Sequence, residues 1–177
     1  MMIKVRTSYL IITGLIVGIV FLPACWPFGT LGNKSKDFYI INVLDSESYQ
    51  DCRIEGSINV PFDKVENFAK NLDRNTQIVI YCANYMCSAS ASAVQKLQEM
   101  GFKQVWAYEG GTAEWYQMGL KAEGNYPVQG ACKASYLSAP NEKPEESETK
   151  FPVISAQELQ EKMITRGMLR KVSQAAA

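Results

Sequence analysis

Apolar and polar positions along this chain fall into blocks whose period changes from one block to the next. Phe38-Tyr39-Ile40-Ile41-Asn42-Val43-Leu44 and Gln77-Ile78-Val79-Ile80-Tyr81 are continuous apolar, β-branched runs, the pattern of strands buried on both faces of a parallel sheet. Ile54 to Pro61 predicts a short strand closed by its proline, and Phe102 to Tyr108 another. Between these runs the period lengthens. Val65, Phe68, Ala69 and Leu72 recur at helical spacing, as one face of an amphipathic helix does. Asp45 or Ser46 offers a helix cap, Ala89 to Met100 forms a small-residue helix stopped by Gly101, and Thr112 to Met118 a helix ending at Gly119. Strand and helix alternate, which predicts an α/β fold with a mainly parallel sheet and helices on both faces.

The two ends break this alternation. Lys4 and Arg6 precede an uncharged run from Tyr9 to Leu22, shorter than the roughly 20 residues a membrane-spanning helix needs. The run closes on Leu22-Pro23-Ala24-Cys25, which resembles the lipobox of bacterial lipoproteins. That resemblance implies cleavage after Ala24 and lipidation of Cys25, a protein facing the periplasm from a lipid anchor in the cell envelope. An uncleaved short anchor and an ordinary signal peptide with an incidental cysteine are the alternatives. Residues 1–24 are thus read as signal peptide, 25–36 as a Pro- and Gly-containing tether, and 37–122 as the domain. Residues 123–150 read as an acidic, proline-containing linker, because Ala139 to Lys150 holds four glutamates and no large apolar side chain. Residues 151–177 return to a strand-like run followed by a helix, with Ser155 and Glu158 spaced as a capping box.

Composition narrows the chemistry. The 177 residues hold 18 Lys+Arg and 18 Asp+Glu, and loss of Lys4 and Arg6 with the signal peptide leaves 16 basic against 18 acidic side chains. No basic cluster is present to neutralise phosphates, so nucleic acid is not an expected partner. There is no histidine, which removes Ser-His-Asp and Cys-His catalysis and His-ligated metals. Five cysteines occur without a Cys-x-x-Cys pair, so neither a metal site nor a cofactor is expected. Cys52 and Cys132 are left to pair with each other or to stay reduced.

Cys82 is the chemically loaded position. It ends a buried strand and precedes a short loop and a helix, where amide N–H groups and the helix dipole converge. Such surroundings lower a thiol pKa, so Cys82 is expected to be largely thiolate near neutral pH. A buried structural cysteine is the rival reading.

Three segments bear on that choice. Tyr49-Gln50-Asp51-Cys52-Arg53-Ile54-Glu55-Gly56-Ser57-Ile58-Asn59-Val60-Pro61, the run Ile78 to Ser88, and Gly110-Gly111-x-x-x-Trp115-x-x-x-Gly119 resemble, in order, the motifs of the rhodanese-like sulfurtransferase family. The resemblance implies a five-stranded parallel sheet and transfer of sulfane sulfur through a persulfide on Cys82. It also implies a substrate cradle of Ala83, Asn84, Tyr85, Met86, Cys87 and Ser88, and a small sulfur donor such as thiosulfate, polysulfide or a low-molecular-weight persulfide. Tyr85 stands where many members carry glycine, Cys87 where they carry arginine, and Asn42-Val43-Leu44 replaces Asp-Val-Arg. Loss of the guanidinium predicts weaker use of the thiosulfate dianion. Cys87 becomes a candidate resolving thiol if its Cα lies within about 4.4–6.8 Å of that of Cys82, the alternative being that it packs away from the loop.

The family domain usually begins with a strand and helix that are missing ahead of Phe38. Val153-Ile154-Ser155-Ala156-Gln157-Glu158-Leu159 is similar to that missing piece, so the C-terminal segment is expected to fold back and complete the sheet; a partly disordered truncated repeat is the rival. Three functions remain open at this point: sulfur transfer at Cys82, a non-catalytic rhodanese-like interaction module, and a Cys82/Cys87 thiol–disulfide switch. The protein partner of such a module is unknown.

Overall fold

A computed structural model describes residues 38–125, 135–143 and 150–168. Cys25, the segments read as signal peptide and tether, and Cys132 lie outside the described residues. The elements are β1 (Phe38–Asn42), α1 (Ser46–Asp51), β2 (Arg53–Ile54), β3 (Ile58–Asn59), α2 (Val65–Ala69), β4 (Gln77–Tyr81), α3 (Ala89–Glu99), β5 (Gln104–Tyr108), α4 (Gly111–Gln117), β6 (Ala122–Glu123) and α5 (Ala156–Thr165).

β1, β3, β4 and β5 form one parallel sheet in the order β3-β1-β4-β5. Register places Ile41 beside Ile58 and Ile80, and Val79 beside Trp106. Because successive side chains leave a strand on opposite faces, each apolar run feeds two cores. Ile41, Ile78, Ile80, Val105 and Ala107 pack with Val65, Ala69, Val94 and Leu97 of α2 and α3. Phe38, Ile40, Val79, Tyr81 and Tyr108 pack on the other face with Trp115 of α4 and with Ile154, Leu159 and Met163. Helices therefore cover both faces, as the alternating pattern predicts.

The sheet departs from five full strands. Val153 pairs in parallel with Ala107 at the outer edge of β5, through Ala107 N–H to Pro152 O and Ile154 N–H to Ala107 O, both 2.9 Å. The fifth place is a single bridge for two local reasons. Pro152 has no N–H to extend the ladder, and Ser155 already caps α5, its Oγ accepting from Glu158 N–H in a complete capping box. The C-terminal segment thus closes the sheet edge and covers one face with α5.

The expected strand from Ile54 to Pro61 is divided in two. Gly56, at φ 72, turns the chain between β2, which pairs antiparallel with β6, and β3. Tyr81 ties this turn to the core. Its buried hydroxyl accepts from Ile54 N–H at 3.1 Å and lies 2.8 Å from Ser57 Oγ.

Part of the segment read as a solvated linker is packed. A short 3-10 turn at Ser135–Leu137 buries Leu137 completely against Cys52, Ala113 and Tyr116. Among the described residues no helix is long and apolar enough to cross a membrane.

Candidate active site

Cys82 follows β4 directly, so the rigid centre of the sheet sets its position. Two residues of α4 fix the start of the loop. Thr112 N–H and Oγ1 donate to Cys82 O at 3.0 and 3.2 Å, and Ala113 N–H donates to Ala83 O at 2.9 Å. Gly111 permits this approach: its φ is +62, and a Cβ there would lie 2.6 Å from Cys82 O and from the carbonyl carbon of Ala83.

The loop then turns on Asn84. Cys87 N–H donates to Asn84 O at 3.0 Å and Met86 N–H to Asn84 Oδ1 at 3.1 Å. Tyr85 N–H is taken by Asn141 Oδ1 at 3.1 Å, and the Tyr85 hydroxyl donates to Glu114 Oε1 at 2.7 Å. Met86 is 85% exposed at the loop tip, as befits a residue at a pocket mouth. Ser88 occupies the position ahead of α3 without a side-chain cap bond.

The structure brings Cys82 and Cys87 together. Cys82 Sγ donates to Cys87 O at 2.9 Å and lies 3.4 Å from Ser90 Oγ. Cys82 is 0% exposed, whereas Cys87 is half-buried. Their acidities diverge accordingly. The hydrogen bond to Cys87 and then burial hold the Cys82 thiol well above the ordinary range. Cys87 is lowered, first by the hydrogen bond from Cys82 and further by the backbone N–H groups of Ala89 and Ala83. The expectation of a Cys82 thiolate is therefore corrected for this closed loop. The Ala89 amide at the start of α3 reaches Cys87, and the two thiols shift in opposite directions, Cys82 up and Cys87 down. Cys87 also packs against the core that the sheet forms with α2 and α3.

This distribution has a measurable consequence, because the thiolate is the reactive form. Alkylation of Cys87 by iodoacetamide, followed peptide by peptide against pH, should show a midpoint below the ordinary thiol value of about 8.5. In Cys82→Ser that midpoint should rise. A Cys87 midpoint at or above the ordinary value in the wild-type chain would contradict the assignment.

Acidic groups face the loop at Tyr85. Burial and then Glu114, with a further contribution from Glu109, push the Tyr85 phenol up. Asn42, which replaces the family aspartate, is fully buried beside Tyr81 and uses Oδ1 to accept Leu44 N–H at 2.9 Å. Arg53 stacks 4.9 Å over Tyr49 and pairs with Glu123 at 3.4 Å. Cys52 is buried and not in a disulfide.

Sequence reasoning missed Asn141 and Glu114. Asn141 sits in a stretch whose composition reads as linker; the nearest signal was Tyr136-Leu137, two bulky side chains in a nominally solvated segment. Glu114 is an ordinary first-turn glutamate in the sequence and meets Tyr85 only through the packing of α4.

A parallel sheet with helices on both faces and a cysteine loop at the carboxyl end of β4, set against a Gly-Gly turn, defines an α/β domain built around one loop. The chain belongs to the rhodanese-like domain family, whose pattern matches residues 30–118. It is similar to thiosulfate sulfurtransferase GlpE of Coxiella burnetii, at 30% identity over 82 residues that cover 46% of this chain and 75% of that one. The protein of the same name from Shewanella oneidensis is 27% identical over 84 residues, 48% of this chain and 81% of that one. Among solved structures, a rhodanese-like domain from Anabaena sp. matches at 30% identity and TM-score 0.45, over 49% of this chain and 98% of that one. A protein of Bacillus halodurans matches at 29% identity and TM-score 0.46, over 50% of this chain and 65% of that one.

Proposed function

We propose that this protein accepts and passes on sulfane sulfur at the loop 82–88, with Cys82 as carrier and Cys87 as its acid–base partner. The observation that carries this reading is the direct contact of the two cysteines at the end of β4. In the forward step the Cys82 sulfur attacks the terminal sulfur of a donor R–S–S⁻. A Cys82–S bond forms, the donor S–S bond breaks, RS⁻ leaves, and the Cys82 proton passes to the Cys87 thiolate. An acceptor thiolate then attacks the terminal sulfur and Cys82 regains its proton from Cys87. Glu114 beside the loop and Cys87 in place of arginine favour a low-molecular-weight persulfide or polysulfide over the thiosulfate dianion, since a dianion needs charge-assisted donors.

The same contact supports a thiol–disulfide switch as the second reading. There Cys87 attacks the inner sulfur of the Cys82 persulfide, an intramolecular disulfide forms, HS⁻ leaves, and an external dithiol must restore both thiols. The full burial of Cys82 supports the third, a non-catalytic module. For location we propose a lipid anchor on Cys25 facing the periplasm, on the strength of the run that ends at that residue.

Mass spectrometry after exposure to thiosulfate, polysulfide or glutathione persulfide separates these readings. A +32 mass adduct, about one sulfur, on the wild-type chain and absent in Cys82→Ser is the expected result. No adduct with any donor supports the module, and a Cys82–Cys87 disulfide formed without added sulfur supports the switch. The same spectra on protein taken from membranes should begin at an acylated Cys25; a chain that still starts at Met1 would overturn the anchor.

A further inference from the structure

Residues 135–143 lie against α4 and the loop 82–88. Gln117 Nε2, on α4, donates to the carbonyls of Leu137 and Ala139 at 3.0 and 2.8 Å. Leu137 is buried against Cys52, Ala113 and Tyr116. These contacts hold the strap until two residues before Asn141. Asn141 then joins two parts of the site with one side chain. Its Oδ1 accepts Tyr85 N–H from the loop, and its Nδ2 donates to Gly110 O in the turn between β5 and α4, both at 3.1 Å.

What lies beneath gives this bridge its consequence. Cys82 is 0% exposed, so a donor reaches its sulfur only when the loop moves. Within the loop, Met86 and Cys87 N–H groups are already satisfied by Asn84. From outside it, the loop is held by Glu114 through the Tyr85 hydroxyl and by Asn141 through the Tyr85 backbone. Glu114 belongs to the α/β core and moves with it. Asn141 lies two residues beyond the last anchored carbonyl of the strap, so its side chain can release the loop while Leu137 stays in place.

We propose that Asn141 is a latch that keeps the loop closed over Cys82, so that the strap 135–143 sets how often this thiol can be reached. Asn141 touches no reacting atom and is a positioning residue. The proposal deepens the sulfur-transfer reading and rests on it only for its consequence in the reaction; the exposure of Cys82 is measurable on its own. Removing two neutral hydrogen bonds from the closed form, with water free to replace them in the open one, shifts an opening equilibrium by about tenfold or more.

The test uses the full chain and follows iodoacetamide labelling of Cys82, Cys87 and Cys52 separately at one pH, with adduct formation by glutathione persulfide in parallel. In Asn141→Ala, Cys82 should label about tenfold faster. Cys52, buried under Leu137, should label at its wild-type rate. Asn141→Asp keeps the acceptor for Tyr85 N–H but sets a carboxylate against Gly110 O, with Glu114 and Glu109 close to the loop, and should fall between the two. Unchanged Cys82 labelling in both variants overturns the latch. A parallel rise at Cys52 also overturns it, because the whole strap or domain has then opened. Faster Cys82 labelling without an adduct from any donor in the wild-type chain supports the latch and removes the sulfur-transfer reading instead.

Discussion

A chain ending at residue 150 should not fold. Ile154, Leu159 and Met163 are at most 4% exposed, and together with Trp115 of α4 they pack with Phe38, Ile40, Val79, Tyr81 and Tyr108 on one face of the sheet. Burying three such side chains is worth about 1.5–3 kcal/mol each, together comparable with the entire net stability of a domain, about 5–15 kcal/mol. The deletion also strips the outer edge of β5, where Ala107 N–H and O bond to Pro152 and Ile154, and an uncovered sheet edge invites pairing with other chains. Thermal unfolding followed by circular dichroism should show no cooperative transition for the truncated chain, and Leu159→Ala should lose about 2–5 kcal/mol while still folding. Unchanged melting of the 1–150 fragment would mean that the C-terminal segment is an appendage and not part of the sheet.

Gly111→Ala should damage stability and site together. The residue sits at φ +62, and its new methyl would meet the backbone of Cys82 and Ala83 at 2.6 Å. The left-handed conformation alone costs about 1–2 kcal/mol, and relief of a clash with backbone brings the total to about 2–4 kcal/mol. Gly119→Ala provides the comparison, since Gly119 has φ +67 but nothing within 4 Å of the added carbon. It should pay the conformational cost alone. Relief at Gly111 must move α4 away from the loop, which breaks the bonds from Thr112 and Ala113 to Cys82 O and Ala83 O. Sulfur adduct formation at Cys82 should therefore fall in Gly111→Ala and persist in Gly119→Ala. Equal melting temperatures for the two variants would show that the close approach carries no energetic weight.

Both effects trace to parts of the chain that differ in how openly the sequence announces them. The runs at Phe38–Asn42 and Gln77–Tyr81 had to be buried strands, because four consecutive apolar positions in each, Phe38 to Ile41 and Ile78 to Tyr81, leave no polar face for water. The return of residues 151–168 to the sheet was expected only from the likeness of residues 153–159 to the family's first strand and helix; local pattern alone marks a strand-like run and a capped helix. The width of the fifth strand was less legible, since it depends on how Pro152 and the start of α5 share three residues. Gly56 divided a run that reads as one strand, through a turn whose other half, Tyr81, lies 25 residues further along.

Local chain chemistry was enough to place a cysteine at the end of a buried strand, inside a loop of small and polar residues, ahead of a helix. The relative acidity of the two thiols depended on three-dimensional proximity: the Ala89 amide reaches Cys87, and Cys82 donates to a carbonyl five residues on. Access to Cys82 depended on contacts across even longer stretches, from Tyr85 to Asn141 and to Glu114. Periodicity reports only which face of an element must leave water, so it locates strands, helices and the loop between them. Hydrogen bonds between residues distant in sequence arise after those faces have packed, and they decide the acidity and exposure of the sulfur.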